Sequence, residues 1–328
     1  MRKAKLSIVL CTYNGEAYLR EQLNSLVAQT RLPDEVVVGD DGSTDSSWEI
    51  ILDFAQRAGR QGIDVRASRR PDGLGFVRNF SETMRLATGD LVFLCDQDDI
   101  WRPDKLAAME AQFGADPELT LLWSDARLVD AAGTPNGDTL FEALELSDEE
   151  KQVVRNGKAF DVLLRRSMVT GATAALKRNV LDDVLPIGAG WIHDEWLAIV
   201  LSSIGRVGMV EQPFVDYRQH GGNQVGMRKR SWKDKWRGLV GPWSAHFQLE
   251  VTRLLSLEQH LNLLGGRVNP EYLRRVVLRR EHFQRRAELG KRPRWERFTM
   301  VFSEAWRGNY SRFSTGRRSM LRDLLRHD

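Results

Sequence analysis

The stretch Ala87–Leu106 reads ATGDLVFLCDQDDIWRPDKL and brings together an apolar run, an acidic cluster and a helix signal. The run LVFLC at Leu91–Cys95 predicts a short buried strand. The cluster DQDD at Asp96–Asp99 follows at once, and Pro103 predicts the start of a helix. Three carboxylates in four residues repel one another unless a cation or a partner neutralises them. The stretch therefore predicts a strand whose carboxyl end carries a binding site.

The preceding part of the chain alternates between strand-length apolar runs and helix-length amphipathic stretches. The apolar runs are Leu6–Cys11, Glu35–Gly39 and Ile63–Ala67, and the amphipathic stretches are Glu16–Ala28, Asp45–Ala58 and Phe76–Ala87. This order predicts an α/β fold in which helices cover a parallel sheet. Because such sheets bind ligands beyond the carboxyl ends of their strands, TYNG at Thr12–Gly15 and DDGSTD at Asp40–Asp45 should meet DQDD at one edge.

After Leu106 the pattern is less regular. We expect a strand at Leu119–Asp125, a helix at Ser147–Arg166, a short strand at Gly171–Leu176, a helix at Ile192–Ile204 and two short strands ending at His220. From Met227 onward the chain holds 24 lysines and arginines against 10 acids, although the whole chain has a net charge of only +3. We therefore predict a boundary near Gly226, with the sheet domain at 1–226 and a basic, tryptophan-containing helical region at 227–328.

The composition excludes disordered and fibrous proteins, because 42% of the 328 residues are hydrophobic and no low-complexity tract is present. The longest apolar runs are far shorter than the roughly 18 residues of a spanning helix, and no cleavage signal follows the basic N-terminal residues. We therefore expect a cytoplasmic protein without a transmembrane segment. Cys11 and Cys95 each end a strand-like run, so we expect buried reduced thiols rather than a disulfide or a metal site.

The acids of DQDD have the spacing of a cation site. In an extended segment Asp96 and Asp98 lie on one side while Asp99 points away, so the first two can share a divalent ion. Oxygen ligands favour Mg²⁺ or Mn²⁺, which commonly bridge a carboxylate to substrate phosphates. The alternative is that Asp98 and Asp99 cap the helix that Pro103 predicts.

The motif DDGSTD permits both a structural and a binding interpretation. Ser43 or Thr44 as a helix N-cap, with Asp45 in the first turn, accounts for its second half. Asp40 or Asp41 at the strand tip has acceptor oxygens for a base N–H or a ribose hydroxyl.

In this order and spacing, TYNG, DDGSTD, GLGFVRNF at Gly73–Phe80 and the stretch Ala87–Leu106 resemble the family 2 glycosyltransferases. The later motifs WSDARLVDAAG (Trp123–Gly133), VTGAT (Val169–Thr173), WIHDEW (Trp191–Trp196) and YRQHGGN (Tyr217–Asn223) are similar to the bacterial rhamnosyltransferase-type branch. The resemblance covers about two-thirds of the chain. It implies the GT-A fold, a Rossmann-like, mostly parallel sheet flanked by helices, here followed by the basic helical appendage.

The resemblance also implies roles for individual residues. It assigns the nucleoside to Thr12, Tyr13, Asn14 and one of Asp40 and Asp41, and places Arg78 near the nucleotide. It assigns Mg²⁺ or Mn²⁺ to Asp96 and Asp98, with Asp98 as the direct ligand, and places Asp96 beside the donor and His220 beside the diphosphate or the metal. It makes Asp194 the catalytic base of an inverting enzyme, with Glu195 as the alternative base.

The chemistry of sugar transfer explains why these residue types are needed. The leaving diphosphate requires positive charge, which the metal, Arg78 and His220 would supply. The acceptor hydroxyl requires a base, which Asp194 would supply. Two structural alternatives stay open: Asp194 and Glu195 stabilise the N-terminus of a helix, and His220 is an ordinary polar loop residue.

The combined motifs predict a metal-dependent inverting glycosyltransferase. We expect it to move L-rhamnose from dTDP-rhamnose, or another sugar from a dTDP- or UDP-sugar, to a hydroxyl of a cell-surface polysaccharide or a lipid-linked glycan precursor. The sequence has no QxxRW motif of the processive synthases, which favours addition of one sugar or a short run. One alternative is a non-catalytic protein that tethers a membrane or a nucleic acid, which would need neither DQDD nor Asp194. Another is a nucleotidyltransferase, which should have a loop rich in glycine and in lysine or arginine after the first strand, where this sequence has TYNG.

The basic region contains the tryptophans Trp232, Trp236, Trp243, Trp295 and Trp306. Basic residues interleaved with Trp and Leu favour helices that lie on an anionic membrane surface. We therefore expect peripheral association with the inner face of the bacterial cytoplasmic membrane and no nucleic-acid partner. The alternative is that the tryptophans pack against the catalytic domain while the arginines are solvated.

Overall fold

The computed structural model describes residues 3–221 and 244–325. Within these ranges the strands are β1 (Leu6–Thr12), β2 (Glu35–Asp40), β3 (Asp64–Arg69), β4 (Leu91–Cys95), β5 (Ile100–Trp101), β6 (Leu119–Val129), β7 (Pro135–Thr139), β8 (Ala174–Lys177) and β9 (Arg206–Arg218). The α-helices are α1 (Leu19–Val27), α2 (Ser47–Gly59), α3 (Phe76–Arg85), α4 (Lys105–Ala115), α5 (Leu140–Ala143), α6 (Asp148–Arg155), α7 (Ala159–Leu163), α8 (Leu181–Val184), α9 (His193–Ile204), α10 (Ser244–Leu264), α11 (Pro270–Glu288), α12 (Arg294–Trp306), α13 (Asn309–Phe313) and α14 (Arg317–Leu325).

The strands form one sheet in the order β3-β2-β1-β4-β8-β6-β9-β5, and β7 pairs with β6 beside this path. Strands β3, β2, β1 and β4 are parallel. Strand β8 runs antiparallel to β4 and to β6, and β9 is parallel to β6. The predicted Rossmann-like sheet flanked by helices is therefore confirmed, with its parallel half at one side and a mixed half at the other.

The central strands are covered on both faces. Leu6, Ile8 and Leu10 of β1 pack in one apolar cluster with side chains of α1, α2 and α4. Successive strand residues point to opposite faces, and Cys11, in the other register, interacts with Thr83 of α3. Burial on both faces explains why these strands read as continuous apolar runs. Cys11 and Cys95 are buried free thiols, as the sequence predicts, and burial raises the pKa of both.

The second half of the sheet departs from the sequence prediction in several places. The expected helix 147–166 is two helices, α6 and α7, because Gly157 between them adopts a left-handed φ of 71°. The segment 171–176 begins as a 3₁₀ turn and only then becomes β8. The two expected strands before His220 are one strand, β9, whose register against β6 shifts between Val210 and Pro213. The sequence does not predict strand β5, because two residues are too short for a periodic signal.

The described residues form two compact units. The first contains 3–163, 167–187 and 192–221, and the second contains 164–166, 188–191 and 244–325. The predicted boundary near Gly226 and the tryptophans Trp232, Trp236 and Trp243 lie outside the described residues, so the division into two domains remains a proposal. Among the helices that the structure describes, none is long and apolar enough to cross a membrane.

The second unit contains buried ion pairs. Arg286 on α11 donates to both carboxylate oxygens of Asp323 on α14, at 2.6 and 3.1 Å. His282 Nδ1 lies 2.7 Å from Glu304 Oε2, and both side chains are buried. An unpaired buried charge would cost several kcal/mol, so these pairs hold the helices in one arrangement. Part of the basic charge of this region is therefore internal, and the alternative of merely solvated arginines does not hold for Arg286.

A buried carboxylate at the amino ends of the parallel strands ties four segments together. Glu35 of β2 is fully buried and accepts hydrogen bonds from Ser7 of β1 and from both the N–H and the hydroxyl of Thr88, which precedes β4. It also pairs with Arg66 of β3 at 2.5 Å. Burial alone would raise the pKa of Glu35, but the hydrogen bonds from Ser7 and Thr88 and the charge of Arg66 outweigh it and lower the pKa to about 2.

We expect Glu35 to contribute a pH-dependent part of the stability. Its pKa is lower in the folded state than the ordinary 4.5, so this stabilisation is present above pH 4.5 and is lost as the pH falls through about 2. The shift corresponds to roughly 3 kcal/mol. Glu35→Gln should lower the free energy of unfolding at pH 7 by about that amount and flatten its dependence on pH between about 5 and 2. Chemical unfolding at a series of pH values measures both effects.

The matched control is Glu82→Gln, because Glu82 is a half-exposed acid of α3 that only approaches Arg85, at 4.0 Å. This control should retain the stability and the pH dependence of the parent. Equal curves for the Glu35 and Glu82 variants would show that Glu35 does not anchor the sheet.

Candidate active site

The site lies at the carboxyl ends of β1, β2 and β4. Strand β1 has β2 on one side and β4 on the other. The chain passes from β1 to β2 and β3 on one side and then crosses back to β4 on the other side, so the direction of the connections reverses at β1. Such a reversal opens a crevice between the two strand ends, where α/β sheets bind their ligands. TYNG, DDGSTD and DQDD all follow these strands, as the sequence predicts.

Gln97 joins the segment after β4 to the end of β1. Its Oε1 accepts hydrogen bonds from the Thr12 hydroxyl at 2.6 Å and from the Tyr13 N–H at 2.8 Å, and its Nε2 donates to the Tyr13 carbonyl at 3.3 Å. Thr12 is buried by this contact, whereas the Tyr13 side chain is half-exposed. Sequence reasoning missed Gln97, although it stands inside the DQDD motif, because the motif is defined by the acids on either side of it.

Asn14 joins the loop after β1 to the loop after β2. Its φ is 49°, in the left-handed region that Asn tolerates better than most residues. Its N–H donates to Ser43 Oγ at 2.9 Å, and its Oδ1 accepts from the Thr44 N–H at 2.8 Å. The polar groups of Asn14 therefore hold the two loops together, and its predicted contact with a nucleoside stays a prediction.

The two acids after β2 are engaged within the protein. Asp40 is fully buried, accepts from the hydroxyl and the N–H of Ser43, and pairs with Arg69 at 3.3 Å. Asp41 accepts from the N–H groups of Leu74 and Gly75, both at 2.8 Å, and so fixes the chain as it enters α3. Each carboxylate oxygen of Asp41 keeps a second lone pair, so Asp41 remains the candidate for a nucleoside contact.

Arg78 contrasts with these engaged acids. It lies in the first turn of α3, is exposed and forms no ion pair with any described residue. An exposed cation near a helix N-terminus is suited to a phosphate. The structure therefore leaves Arg78 available for the predicted role near a nucleotide.

Strand β5 brings the far end of β9 to the acidic cluster. Ile100 of β5 pairs with Asp216 of β9, which places the residues after Asp216 beside Asp96–Asp99. As a result, His220 Nε2 lies 2.8 Å from Asp98 Oδ2, and the His220 ring stacks on Tyr18 with centroids 4.6 Å apart. Helix α4 begins only at Lys105, so Asp98 and Asp99 do not cap it.

Arg218 fixes the backbone of the acidic cluster. It is almost fully buried, its N–H donates to Asp99 Oδ1 at 3.0 Å, and its Nε donates to the Asp98 carbonyl at 2.8 Å. Its guanidinium lies over the Tyr18 ring at 4.8 Å. The motif YRQHGGN contains Arg218, but the sequence points only to its histidine, because nothing local shows that the arginine is buried.

The acids of the cluster raise one another's pKa. Burial, followed by the charges of Asp98 and Asp194, raises the pKa of Asp96 to about 7. Burial, followed by the charges of Asp98 and Asp96, raises the pKa of Asp99 well above its ordinary value. The Asp96 carboxylate accepts no hydrogen bond from the described residues. The Asp96 carboxylate therefore keeps its acceptor lone pairs for a ligand.

A buried lysine lies beneath these acids. Lys105 has no exposed surface, donates to the Ala172 carbonyl at 2.7 Å and places its ammonium 3.4 Å from the centre of the Trp101 ring. Burial lowers the pKa of Lys105 to about 7, against the opposing charges of Asp99 and Asp96. The sequence does not predict this buried position, because a lysine at the start of a helix is expected to be exposed to solvent.

Asp194 lies at the start of α9, and its charge faces the cluster. It accepts from the Gly171 N–H at 2.8 Å and from the Glu195 N–H at 2.7 Å, so its orientation is fixed. Gly171 must be a glycine, because a Cβ there would come within 2.7 Å of His193 Nε2. The His193 ring is buried and stacks on Phe80 at 4.1 Å.

Tyr217 is the common neighbour of four carboxylates. Its pKa is raised by burial and then by the charges of Asp99, Asp96, Asp98 and Asp194. These acids come from two distant parts of the chain, and the structure brings them to one place. Asp194 therefore acts electrostatically on the same tyrosine as the acids of DQDD. The roles of these acids as metal ligands and of Asp194 or Glu195 as the base stay predictions.

The described residues contain no preformed group of three or more His, Cys, Asp or Glu side chains for a metal ion. The donor atoms present nevertheless fit a divalent cation that is also held by a substrate. Neighbouring ligands of an octahedral ion at about 2.1 Å lie about 3 Å apart, close to the 2.8 Å between Asp98 Oδ2 and His220 Nε2. Mg²⁺ usually takes only one or two carboxylates and completes its shell with water and phosphate.

Comparisons with known proteins bear on the family and the fold of the chain. Residues 7–185 match the profile of glycosyl transferase family 2. An uncharacterized glycosyltransferase of Nostoc sp. is 28% identical over 228 residues, which are 67% of this chain and 66% of the relative. The dTDP-rhamnosyl transferase RfbG of Shigella flexneri is 24% identical over 286 residues, which are 82% of this chain and 91% of the relative.

Two solved structures share the fold at low sequence identity. Staphylococcus aureus TarS 1–349, in complex with UDP-GlcNAc, has a TM-score of 0.58 and 16% identity, covering 85% of this chain and 72% of TarS 1–349. The mannosyltransferase PcManGT of Pyrobaculum calidifontis, in complex with GDP-Man and Mn²⁺, has a TM-score of 0.50 and 18% identity, covering 99% of this chain and 86% of that one. The resemblance seen in the motifs is thus confirmed: the chain belongs to glycosyl transferase family 2 and is a transferase of the GT-A fold.

Proposed function

We propose that this protein is a metal-dependent inverting glycosyltransferase that moves one sugar from a nucleotide-sugar donor to a hydroxyl of a glycan acceptor. The observation that carries the proposal is that Asp194 and Lys105 bind the same short turn. Asp194 accepts from the Gly171 N–H, and the neighbouring Ala172 carbonyl accepts from Lys105. The charge of Lys105 acts in turn on Asp96 and Asp99 of the acidic cluster. A protein that only tethered a membrane or a nucleic acid would gain nothing from four mutually repelling acids around one hydroxyl.

Asp194 is suited to act as the base. Each of its oxygens accepts one backbone N–H, from Gly171 or Glu195, and each keeps a lone pair for the acceptor hydroxyl. In the proposed reaction the acceptor oxygen forms a bond to the anomeric carbon, and its proton passes to Asp194. The bond from that carbon to the diphosphate breaks, and the nucleoside diphosphate leaves with the electron pair.

The other side of the site receives the leaving group. Asp98 and His220 would hold a divalent cation, which neutralises charge on a diphosphate when it is bound. Arg78 adds a second positive charge at the start of α3. Thr12, Tyr13 and Asp41 form the crevice in which the nucleoside would lie, with the exposed Tyr13 ring as a surface for the base.

For the donor we propose dTDP-L-rhamnose, with UDP-sugars as competitors, and for the acceptor a cell-surface polysaccharide or a lipid-linked glycan precursor. The donor proposal is supported by the similarity to RfbG, which is named a dTDP-rhamnosyl transferase and matches over most of both chains. The structural neighbours carry UDP-GlcNAc and GDP-Man, so the fold itself does not select the sugar. Hydrolysis of a panel of nucleotide sugars with Mn²⁺ or Mg²⁺ tests it, and preference for a UDP- or GDP-sugar would overturn the choice of dTDP-rhamnose.

Asp98→Asn should weaken the metal-dependent binding of nucleoside diphosphate by about tenfold or more. The amide keeps the shape of the carboxylate but removes the charge that faces the cation. Calorimetry with dTDP and Mn²⁺, repeated in EDTA, separates the metal-dependent from the metal-independent part.

Asp104→Asn is the control for this experiment, since Asp104 is an exposed acid six positions along the chain whose nearest charged partner is Arg102. It should bind like the parent. If Asp98→Asn also binds like the parent in Mn²⁺, Asp98 is not a ligand of the cation.

Asp194→Asn should lower turnover by roughly 10²–10⁴-fold while donor affinity and melting temperature stay close to the parent values. The amide oxygen can still accept one of the two backbone hydrogen bonds, so the start of α9 should remain folded. Single-turnover kinetics and thermal unfolding on the same preparation give both quantities.

Glu195→Gln, at the neighbouring position of the same helix turn, is the comparison variant and should keep most of its activity. The reverse result, an active Asp194 variant and an inactive Glu195 variant, would transfer the role of base to Glu195. A loss of activity in proportion to a loss of folded protein would instead assign Asp194 a structural role.

Lys105→Met should make the protein depend more strongly on the cation for its stability. Removing the buried ammonium leaves Asp96 and Asp99 without their internal counter-charge, and a cation held at the neighbouring Asp98 would then compensate more of their repulsion. The melting temperature should fall without metal and should rise more steeply with Mn²⁺ than that of the parent. An equal response to Mn²⁺ in both proteins would show that Lys105 and the cation act on different groups.

A further inference from the structure

Helix α12 carries four aromatic side chains on its exposed side. Their exposed fractions are 69% for Trp295, 49% for Phe298, 54% for Phe302 and 93% for Trp306. The spacings of three, four and four residues place them on one face of the helix, which we call the aromatic stripe. Phe298 and Phe302 stack on each other with centroids 6.2 Å apart.

The stripe is distinct from the face that α12 uses to pack. Val301 has no exposed surface and forms a small core with Leu289 and Tyr310, and Glu304 is buried in the ion pairs of α11. Helix α12 is therefore apolar on an inner face and again on an outer one. A continuous exposed row of large aromatic side chains costs free energy in water, roughly 25 cal/mol per Å², and typically marks an interaction surface.

Unpaired positive charge accompanies the stripe. Residues 244–325 hold 17 lysines and arginines against 8 acids. Lys291, just before α12, and Arg317 and Arg318, at the start of α14, are exposed and form no ion pair with a described residue. Helix α14 packs against α12. These cations are free to meet anionic groups of a partner, unlike the buried Arg286.

We infer that the aromatic stripe of α12 is a docking face for an anionic lipid surface. Tryptophan and phenylalanine favour the headgroup level of a bilayer, where the ring is in contact with acyl chains. Basic residues near such a face add roughly 1 kcal/mol each through attraction to anionic headgroups. Lipid binding by the stripe would hold the enzyme where a lipid-linked acceptor is found. This use of the stripe rests on the proposed function, whereas the lipid binding itself does not.

The charge pattern favours lipid over a second copy of this chain. Two stripes packed about a two-fold axis would bring together two surfaces with the same excess of positive charge, since residues 244–325 hold 17 lysines and arginines against 8 acids, and these surfaces would repel. A lipid surface of opposite sign has no such penalty.

The test uses the full chain and vesicles of phosphatidylcholine, with and without phosphatidylglycerol. The double variant Trp295→Ser/Trp306→Ser should lower the partition coefficient onto the anionic vesicles by roughly tenfold or more. Lys291→Glu/Arg318→Glu should weaken binding to anionic vesicles and reduce its salt dependence, because surface attraction is screened. Leu263→Ser is the matched control, since Leu263 on α10 is 85% exposed but lies outside the stripe.

Donor hydrolysis is measured on each variant in the absence of vesicles and should equal that of the parent, since none of these residues belongs to the site. This readout separates a failed docking face from a failed catalytic proposal. Undiminished sedimentation of the double variant overturns the inference. If the parent is a dimer and the double variant is a monomer, the stripe is an interface between copies. If the parent binds single-stranded DNA through the stripe, the stripe is a nucleic-acid surface. Either result overturns the lipid inference.

Discussion

The repulsion among Asp96, Asp98, Asp99 and Asp194 is the constraint around which the carboxyl edge of the sheet is organised. Four carboxylates near one buried tyrosine hydroxyl are unstable together unless positive charge reaches them. The fold provides Lys105 from beneath and the backbone of Arg218 from the side. These contacts hold the acids in place and leave Asp96 without a hydrogen-bond partner among the described residues. This arrangement is compatible with the proposed cation, which would arrive with the substrate.

Much of the parallel half of the fold and the location of the site follow from local sequence patterns. Buried strands such as β1 and β4 are continuous apolar runs, and the side chains that follow them must lie at one edge, so local pattern is enough to predict where Thr12 and Asp98 lie. The approach of Asp194 to the acids required more than local pattern: it came from the resemblance to a family, and the electrostatic contact with Asp96 agrees with it.

The remaining features depend on pairings between distant segments. Lys105 donates to the Ala172 carbonyl, and Arg218 donates to Asp98 and Asp99. The partners lie far apart in the sequence, so no local pattern predicts that either side chain is buried. The sequence does not show that Asp40 binds Ser43 and pairs with Arg69, because a carboxylate at a strand tip can accept from loop donors as readily as from substrate donors. The second unit gives another example. Its excess of lysines and arginines can be counted in the sequence, but the count does not tell that Arg286 is buried in an ion pair while Lys291 is exposed.

Glu35 lies at the opposite ends of the same strands that carry the site. Because this anchor joins β1, β2, β3 and the approach to β4 away from the crevice, the cohesion of the sheet does not rely on the loops that would contact a donor. Most substitutions in the loops after β1 and β2 should then leave the amino ends of the strands joined. Such a separation lets the loops at one rim change in sequence while the scaffold persists.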